Sequence, residues 1–259
     1  RGAGQQARRL TEIPPPGALA SLADDEVTRW AGATTAREAR SIGIDWVFAP
    51  DADLDIEPKN PIVQTRSFGA DPAVASRNVS LWVKGCQGEG ALACAKHFPG
   101  HGRTTLDSHN VMPTVATPFA ELADTDLRPF AAAVNSGVAA VMTAHVAYAA
   151  WDPSGAPATR SPTILGYLRR TLGFDGLVVT DAFIMEGARA GATEGEAAVA
   201  SLAAGCDILL YPGDLTGTLH ELERAREDGR LPAARVAEAL RRYEAALAKV
   251  GTAGPAAPL

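Results

Sequence analysis

Lys96-His97-Phe98-Pro99-Gly100-His101-Gly102, running on to Asp107-Ser108-His109, gathers a cation, three imidazoles and a carboxylate within fourteen residues. It follows the apolar run Ala91-Leu92-Ala93-Cys94-Ala95, which reads as a buried parallel strand. An α/β barrel places its reactive side chains just past the C-terminal ends of such strands. The segment therefore reads as a strand feeding a functional loop.

Working outward, the same grammar recurs. Strand-like runs at 45–50, 91–97, 138–145, 176–181 and 206–211 alternate with helical patterns near 24–41, 71–84, 122–135, 162–172, 194–204 and 236–249. Strands separated by helices are βαβ units with a parallel sheet. Most of the runs are apolar throughout rather than alternating, as expected when both faces of the sheet are covered. Five strands fall short of the eight that close a barrel. The segment 2–10 could be the tail of an earlier βα loop, which would put one or two strands ahead of Arg1. The expected organisation is one barrel domain over 1–250, incomplete at its N-terminus, with an Ala/Pro/Gly-rich tail or linker at 251–259.

Composition narrows the function classes. A net charge of −6 with no basic stripe argues against nucleic acid as a partner. No apolar run is long enough to span a bilayer, so no membrane partner is expected. The N-terminus carries no readable address, and a cytoplasmic setting is favoured over secretion. Cys86, Cys94 and Cys206 lie in apolar surroundings without metal-like spacing and read as buried thiols.

Four strands end in polar groups at the same end. They lead to Asp51, Asp53 and Asp55, to Lys96-His97, to His145 and to Asp181. Parallel strands align their C-terminal ends, so these side chains converge on one rim. Asp181 follows Leu177-Val178-Val179-Thr180 and suits a carboxylate nucleophile; the other reading is an N-cap for the helix that follows. Asp107 and His109 are alternate residues, and in an extended segment the carboxylate would orient the imidazole as a proton-transfer pair. An Asx-type turn with an exposed histidine is the alternative. His97 and His101 have a metal-like spacing, but Pro99-Gly100 forbids the helix that usually presents it, so no metal and no cofactor are expected. Arg66, in a long loop that begins at Asp51, reads as a substrate grip or a surface ion pair. His145 reads equally as a substrate ligand or a supporting histidine behind the rim.

These segments resemble the family 3 glycoside hydrolases, in particular their β-N-acetylglucosaminidase branch of peptidoglycan-recycling enzymes. The matching stretches are Phe48-Ala49-Pro50 with Asp53, Asn60-Pro61, Arg66-Ser67-Phe68-Gly69, the Lys96–Gly102 motif and Asp107-Ser108-His109. They continue with Met142-Thr143-Ala144-His145, Gly173-Phe174-Asp175-Gly176, Thr180-Asp181 and Met185-Glu186-Gly187-Ala188. The resemblance implies a (β/α)8 TIM-type barrel and a retaining double displacement on terminal β-linked N-acetylglucosamine, with a GlcNAc-containing cell-wall fragment as the small carbohydrate partner. It makes Asp181 the nucleophile, His109 the acid/base and Asp107 its orienting partner. Arg8, Arg66, Lys96, His97 and His145 fall at sugar-binding positions. Two alternatives stay open: a hydrolase or phosphorylase with another sugar preference, and a weakly active sugar-binding barrel fragment.

The chain departs from the family pattern in two places. The family's hydroxyl-binding aspartate would lie just before Arg1, where Arg1-Gly2-Ala3-Gly4-Gln5-Gln6-Ala7-Arg8 resembles the loop that follows it. Asp181 is followed by Ala182-Phe183-Ile184, where relatives carry an acidic or Leu-type residue.

Overall fold

The computed structural model describes residues 10–108 and 110–251; Arg8 and His109 lie outside the described residues. Five parallel strands form a curled sheet in the order β1-β2-β4-β6-β7: β1 (Trp46–Val47), β2 (Leu92–Phe98), β4 (Ala140–Thr143), β6 (Leu177–Ala182) and β7 (Ile208–Leu210). All five fall inside or within one residue of the stretches expected from apolar patterning. A second sheet pairs two short strands, β3 (Thr114–Val115) and β5 (Ala147–Tyr148), also in parallel.

The helices are α1 (Pro16–Ser21), α2 (Asp25–Ser41), α3 (Pro72–Gly88), α4 (Phe119–Asp124), α5 (Leu127–Asn135), α6 (Pro162–Gly166), α7 (Glu186–Arg189), α8 (Glu194–Ala204), α9 (Leu215–Glu227) and α10 (Ala233–Leu247). Local chemistry fixes their starts. The Asp24 carboxylate accepts the Glu26 and Val27 N–H groups, Asp71 does the same for Ala73 and Val74 ahead of Pro72, and Thr193 with Glu196 closes a capping box. The helix expected over 122–135 is two, broken at Thr125, where the buried Asp126 side chain turns to bind Arg103.

The strands sort their side chains by parity. Ala93, Ala95, Val141 and Val178 face the helices, packing with Val79, Trp82 and Phe130. Leu92, Cys94, Ala140, Met142, Leu177 and Val179 face inward across the curl, where Ala246 and Val250 meet them. The result is a half-barrel of the TIM type, buried on both faces as parallel sheets require. The three cysteines are free and buried, and burial pushes each thiol up to about 12.

Helix α10 closes the N-terminal side of this sheet. Asp207, just before β7, accepts from Arg169, Arg235 and Arg242 at 2.5, 2.5 and 3.3 Å, and also from the Val178 N–H. Past the end of α10, the Gly251 N–H donates to the carbonyl of Gly90, just before β2. Among the described residues, no helix is long and apolar enough to cross a membrane.

Candidate active site

The polar rim expected at the strand ends exists, and a residue from the loop after β1 organises it. Asp53 is buried, and its Oδ1 accepts the backbone N–H of His97 at 3.1 Å and of His101 at 2.6 Å. Its Oδ2 lies 2.7 Å from His97 Nδ1. One carboxylate thus holds both ends of the turn that carries Pro99 and Gly100. Burial works against charge on His97, but the Asp53, Asp181 and Asp51 carboxylates overcome it and raise its pKa, favouring the imidazolium. The same contact holds Asp53 well below the usual carboxylate range despite its burial.

His97 Nε2 points the other way, 3.9 Å from Asp181 Oδ2. Asp181 is the last residue but one of β6 and is 18% exposed on its side chain, and its Oδ1 accepts the Ala182 N–H at 2.8 Å. Burial opposes ionisation, yet the charge on His97 and then the Ala182 N–H hold its pKa below the ordinary value. Asp181 does not cap the following helix: the cap position of α7 is Met185, with no side-chain bond. Of its two sequence readings, the capping one is excluded. Its carboxylate stays ionised, held in place and open to a small molecule.

The loop from Pro99 to Pro113 is pinned along its length. Tyr148 Oη donates to the Gly100 carbonyl at 2.7 Å, and Asn60 Nδ2 donates to the His101 carbonyl at 2.8 Å. The His101 ring bridges Thr104 Oγ1 at 2.8 Å and Ser108 Oγ at 3.1 Å; burial and the neighbouring His97 lower its pKa, so it stays neutral. A Cβ on Gly102 would stand 1.8 Å from the Leu54 carbonyl oxygen, so only glycine permits this approach. Arg103 reaches Asp126, Glu121 and Thr125 at 2.8, 2.7 and 3.0 Å. The Ser108 carbonyl accepts the Gly187 N–H at 3.1 Å, which docks the loop beside the start of α7 and hence next to β6. The pairing of β3 with β5 fastens the far end.

The Asp107 segment differs from the extended form expected of it. The Asp107 carbonyl accepts the Asn110 and Val111 N–H groups at 3.1 and 3.3 Å, so the chain turns there. His109 lies outside the described residues, so the pairing of Asp107 with His109 rests on the family resemblance.

The remaining candidates separate into two places. Arg66 ends a short 3-10 turn and lies 3.2 Å from Asp51 Oδ2; with Lys96 both line a cavity of about 290 Å³ beside β1. His145 follows β4 and is fully buried, its Nδ1 2.9 Å from Thr159 Oγ1 and its ring edge-on to Phe183. Burial lowers its pKa to about 4, against the pull of Asp181, so it is neutral and stands behind the rim. One oxygen each of Asp51 and Asp53 and a ring nitrogen of His97 lie within 4.8 Å of one another, the spacing a metal ion needs. There Asp53 already holds two N–H groups and the His97 ring, and an ion would have to replace a ring proton.

Sequence reasoning passed over Asp53 as an organiser, and His101, Asn60 and Asp126 as loop anchors. The signal for Asp53 was its place at a strand end; Asn60 and Asp126 gave none, because their partners His101 and Arg103 are distant in sequence, whereas the ring partners of His101 lie three and seven residues away.

Comparison with known proteins places the chain among relatives. A β-N-acetylglucosaminidase/β-glucosidase from Cellulomonas fimi is 33% identical over 260 residues, covering 96% of this chain and 46% of that protein. A β-hexosaminidase from Chromobacterium violaceum is 38% identical over 208 residues, 78% of this chain and 57% of the relative. The solved structure of a glycoside hydrolase family 3 β-N-acetylglucosaminidase from Paenibacillus sp. str. FPU-7 superposes with a TM-score of 0.91 at 37% identity, covering 96% of this chain and 48% of the other. The chain thus spans about half the length of the relatives it matches. The glycosyl hydrolase family 3 N terminal domain matches residues 1–245, and the chain belongs to that family.

Proposed function

We propose that this chain carries the site of a retaining exo-β-N-acetylglucosaminidase. The observation that carries the reading is the ionised, partly exposed Asp181 carboxylate at the end of β6, with the His97 imidazole 3.9 Å away. Asp181 attacks the anomeric carbon while His109, oriented by Asp107, gives a proton to the departing glycosidic oxygen. That bond breaks as the glycosyl–Asp181 ester forms. In the second half, His109 takes a proton from water, the water oxygen attacks the same carbon, and the ester releases Asp181 as carboxylate. His97 supplies positive charge beside the nucleophile; Arg66 and Lys96, with Arg8, hold the sugar; His145 supports Asp181 from behind. The names of the relatives support a β-linked N-acetylhexosamine, and we extend this to terminal N-acetylglucosamine on cell-wall fragments.

Turnover of aryl β-N-acetylglucosaminide and β-glucoside, each with and without phosphate, tests the reading. Preference for the N-acetyl sugar without a phosphate requirement is expected. A preference for glucoside would move the sugar assignment, and acceleration by phosphate would make phosphate the acceptor in place of water. A folded chain that turns over neither sugar would refute the proposal.

A further inference from the structure

The cavity beside β1 contains a carboxylate that the double displacement leaves without a task. Phe48, Phe68 and Trp82 supply apolar and aromatic wall, and Asp51, Arg66 and Lys96 supply charge, around about 290 Å³. That volume is near the lower end of cavities that take small molecules, about 300 Å³. Asp51 is 6% exposed. Its Oδ1 accepts the Asp53 N–H at 3.2 Å. Its Oδ2 is buried with no donor at good geometry, although the Arg66 guanidinium lies 3.2 Å away; once protonated, the Asp51 carboxyl shares a hydrogen bond with the Asp53 carboxylate. Buried carboxylate oxygens are normally satisfied, and one left short of a donor in a cavity wall is an acceptor in waiting.

A carboxylate oxygen beside a guanidinium offers an acceptor and a donor side by side, the pair that a sugar hydroxyl matches by giving one hydrogen bond and taking another. Aromatic wall nearby suits the apolar face of a pyranose. We propose that Asp51 accepts a hydrogen bond from a ring hydroxyl of the bound sugar and, with Arg66, sets which sugars this chain accepts. The inference rests on the glycosidase reading above and assigns to Asp51 a role in specificity, separate from the bond-breaking groups.

The surroundings add a pH signature. Asp53, His97, Arg66 and Lys96 are the charged or titratable groups around Asp51. Burial and the Asp53 carboxylate raise Asp51 to about 7, with His97 and Arg66 opposing. The acceptor is therefore about half charged near pH 7, gains charge over the next one or two pH units and weakens below.

The experiment compares aryl β-N-acetylglucosaminide with its 3-, 4- and 6-deoxy forms on the unchanged chain and on Asp51→Val, with thermal melting to establish folding. One deoxy sugar is expected to lose about 10- to 100-fold in kcat/KM on the unchanged chain, the range for a hydrogen bond to a charged group. Asp51→Val should lose a similar factor on the full sugar and nothing further on that deoxy sugar. Equal deoxy penalties on both proteins would overturn the assignment. If Asp51→Val does not fold, the unchanged chain decides. A deoxy penalty that shrinks below about pH 7 supports Asp51, and one constant between about pH 5.5 and about pH 8.5 overturns it. Without turnover, calorimetric binding of the same sugars separates the two readings. Hydroxyl discrimination lost in Asp51→Val would uphold this inference while the hydrolase reading falls, and no binding at all would overturn both.

Discussion

Replacing Asp53 by asparagine keeps the shape of the buried carboxylate and changes which protons its neighbours carry. The amide oxygen can still accept the His97 and His101 N–H groups, but the amide nitrogen then faces His97 Nδ1. His97 has to give up that proton and its charge. The loss is the difference between a charge-assisted and a neutral hydrogen bond, about 1–2 kcal/mol. At about 2–4 °C per kcal/mol for a chain of this size, the melting point should fall by about 2–8 °C. The sign of its pH dependence follows from the two shifts. The raised His97 pKa gives stability that is fully present below its unfolded value of about 6.5 and lost as pH rises through the folded value. The lowered Asp53 pKa gives stability present above about 3.9 and lost as pH falls through the folded value. The gap between the two proteins should therefore be widest between about pH 4 and about pH 6.5 and narrow in alkali. Urea denaturation followed by tryptophan fluorescence at several pH values measures it. A gap independent of pH, or none near about pH 5.5, would refute the charged His97–Asp53 pair.

Asp181→Asn should cut aryl-glycoside turnover at least about a thousand-fold with a melting shift of a few degrees or less, because the carboxylate's backbone bond is to its own neighbour, Ala182; activity near the parent value would remove it as nucleophile. His109→Ala should slow poor leaving groups far more than activated aryl glycosides, and equal losses would argue against it as the acid. Asp207→Ala leaves three guanidinium groups without their shared carboxylate and should cost about 3–5 kcal/mol by urea denaturation. Gly102→Ala forces the loop off the Leu54 carbonyl and should cost about 1–3 kcal/mol and lower kcat, a result checked by melting and turnover together.

The strands were legible because apolar runs such as 91–95 and 177–180 are buried on both faces and need no tertiary context to be read. The rim followed from them, since parallel strands put Asp51, Lys96, His97, His145 and Asp181 at one end. Side-chain partnership was not legible: Asp53 meets His97 from 44 positions away, and Tyr148 meets Gly100 from 48. Strands β3 and β5, two residues each, are too short to show a period. Helix α9 was missed although Asp214 caps it on the Gly217 N–H, because the threonines and glycine of its first turns weaken the helical pattern. The bend at Asp107 adjoins the dock of Ser108 onto Gly187, a contact that no local pattern encodes.

Helix α10 has a consequence beyond covering the sheet's lower side. It is bonded near one edge through Asp207 and near the other through the contact between Gly251 and Gly90. It thus ties the two sides of the arc together like a bowstring across a bent stave. Loosening either end would let the arc flatten, and the rim residues, mounted on different strands, would fan apart together. The spacing between His97 and Asp181 is then a property of the whole arc, and a substitution at the base such as Asp207→Ala could change the chemistry of the rim without touching any group there.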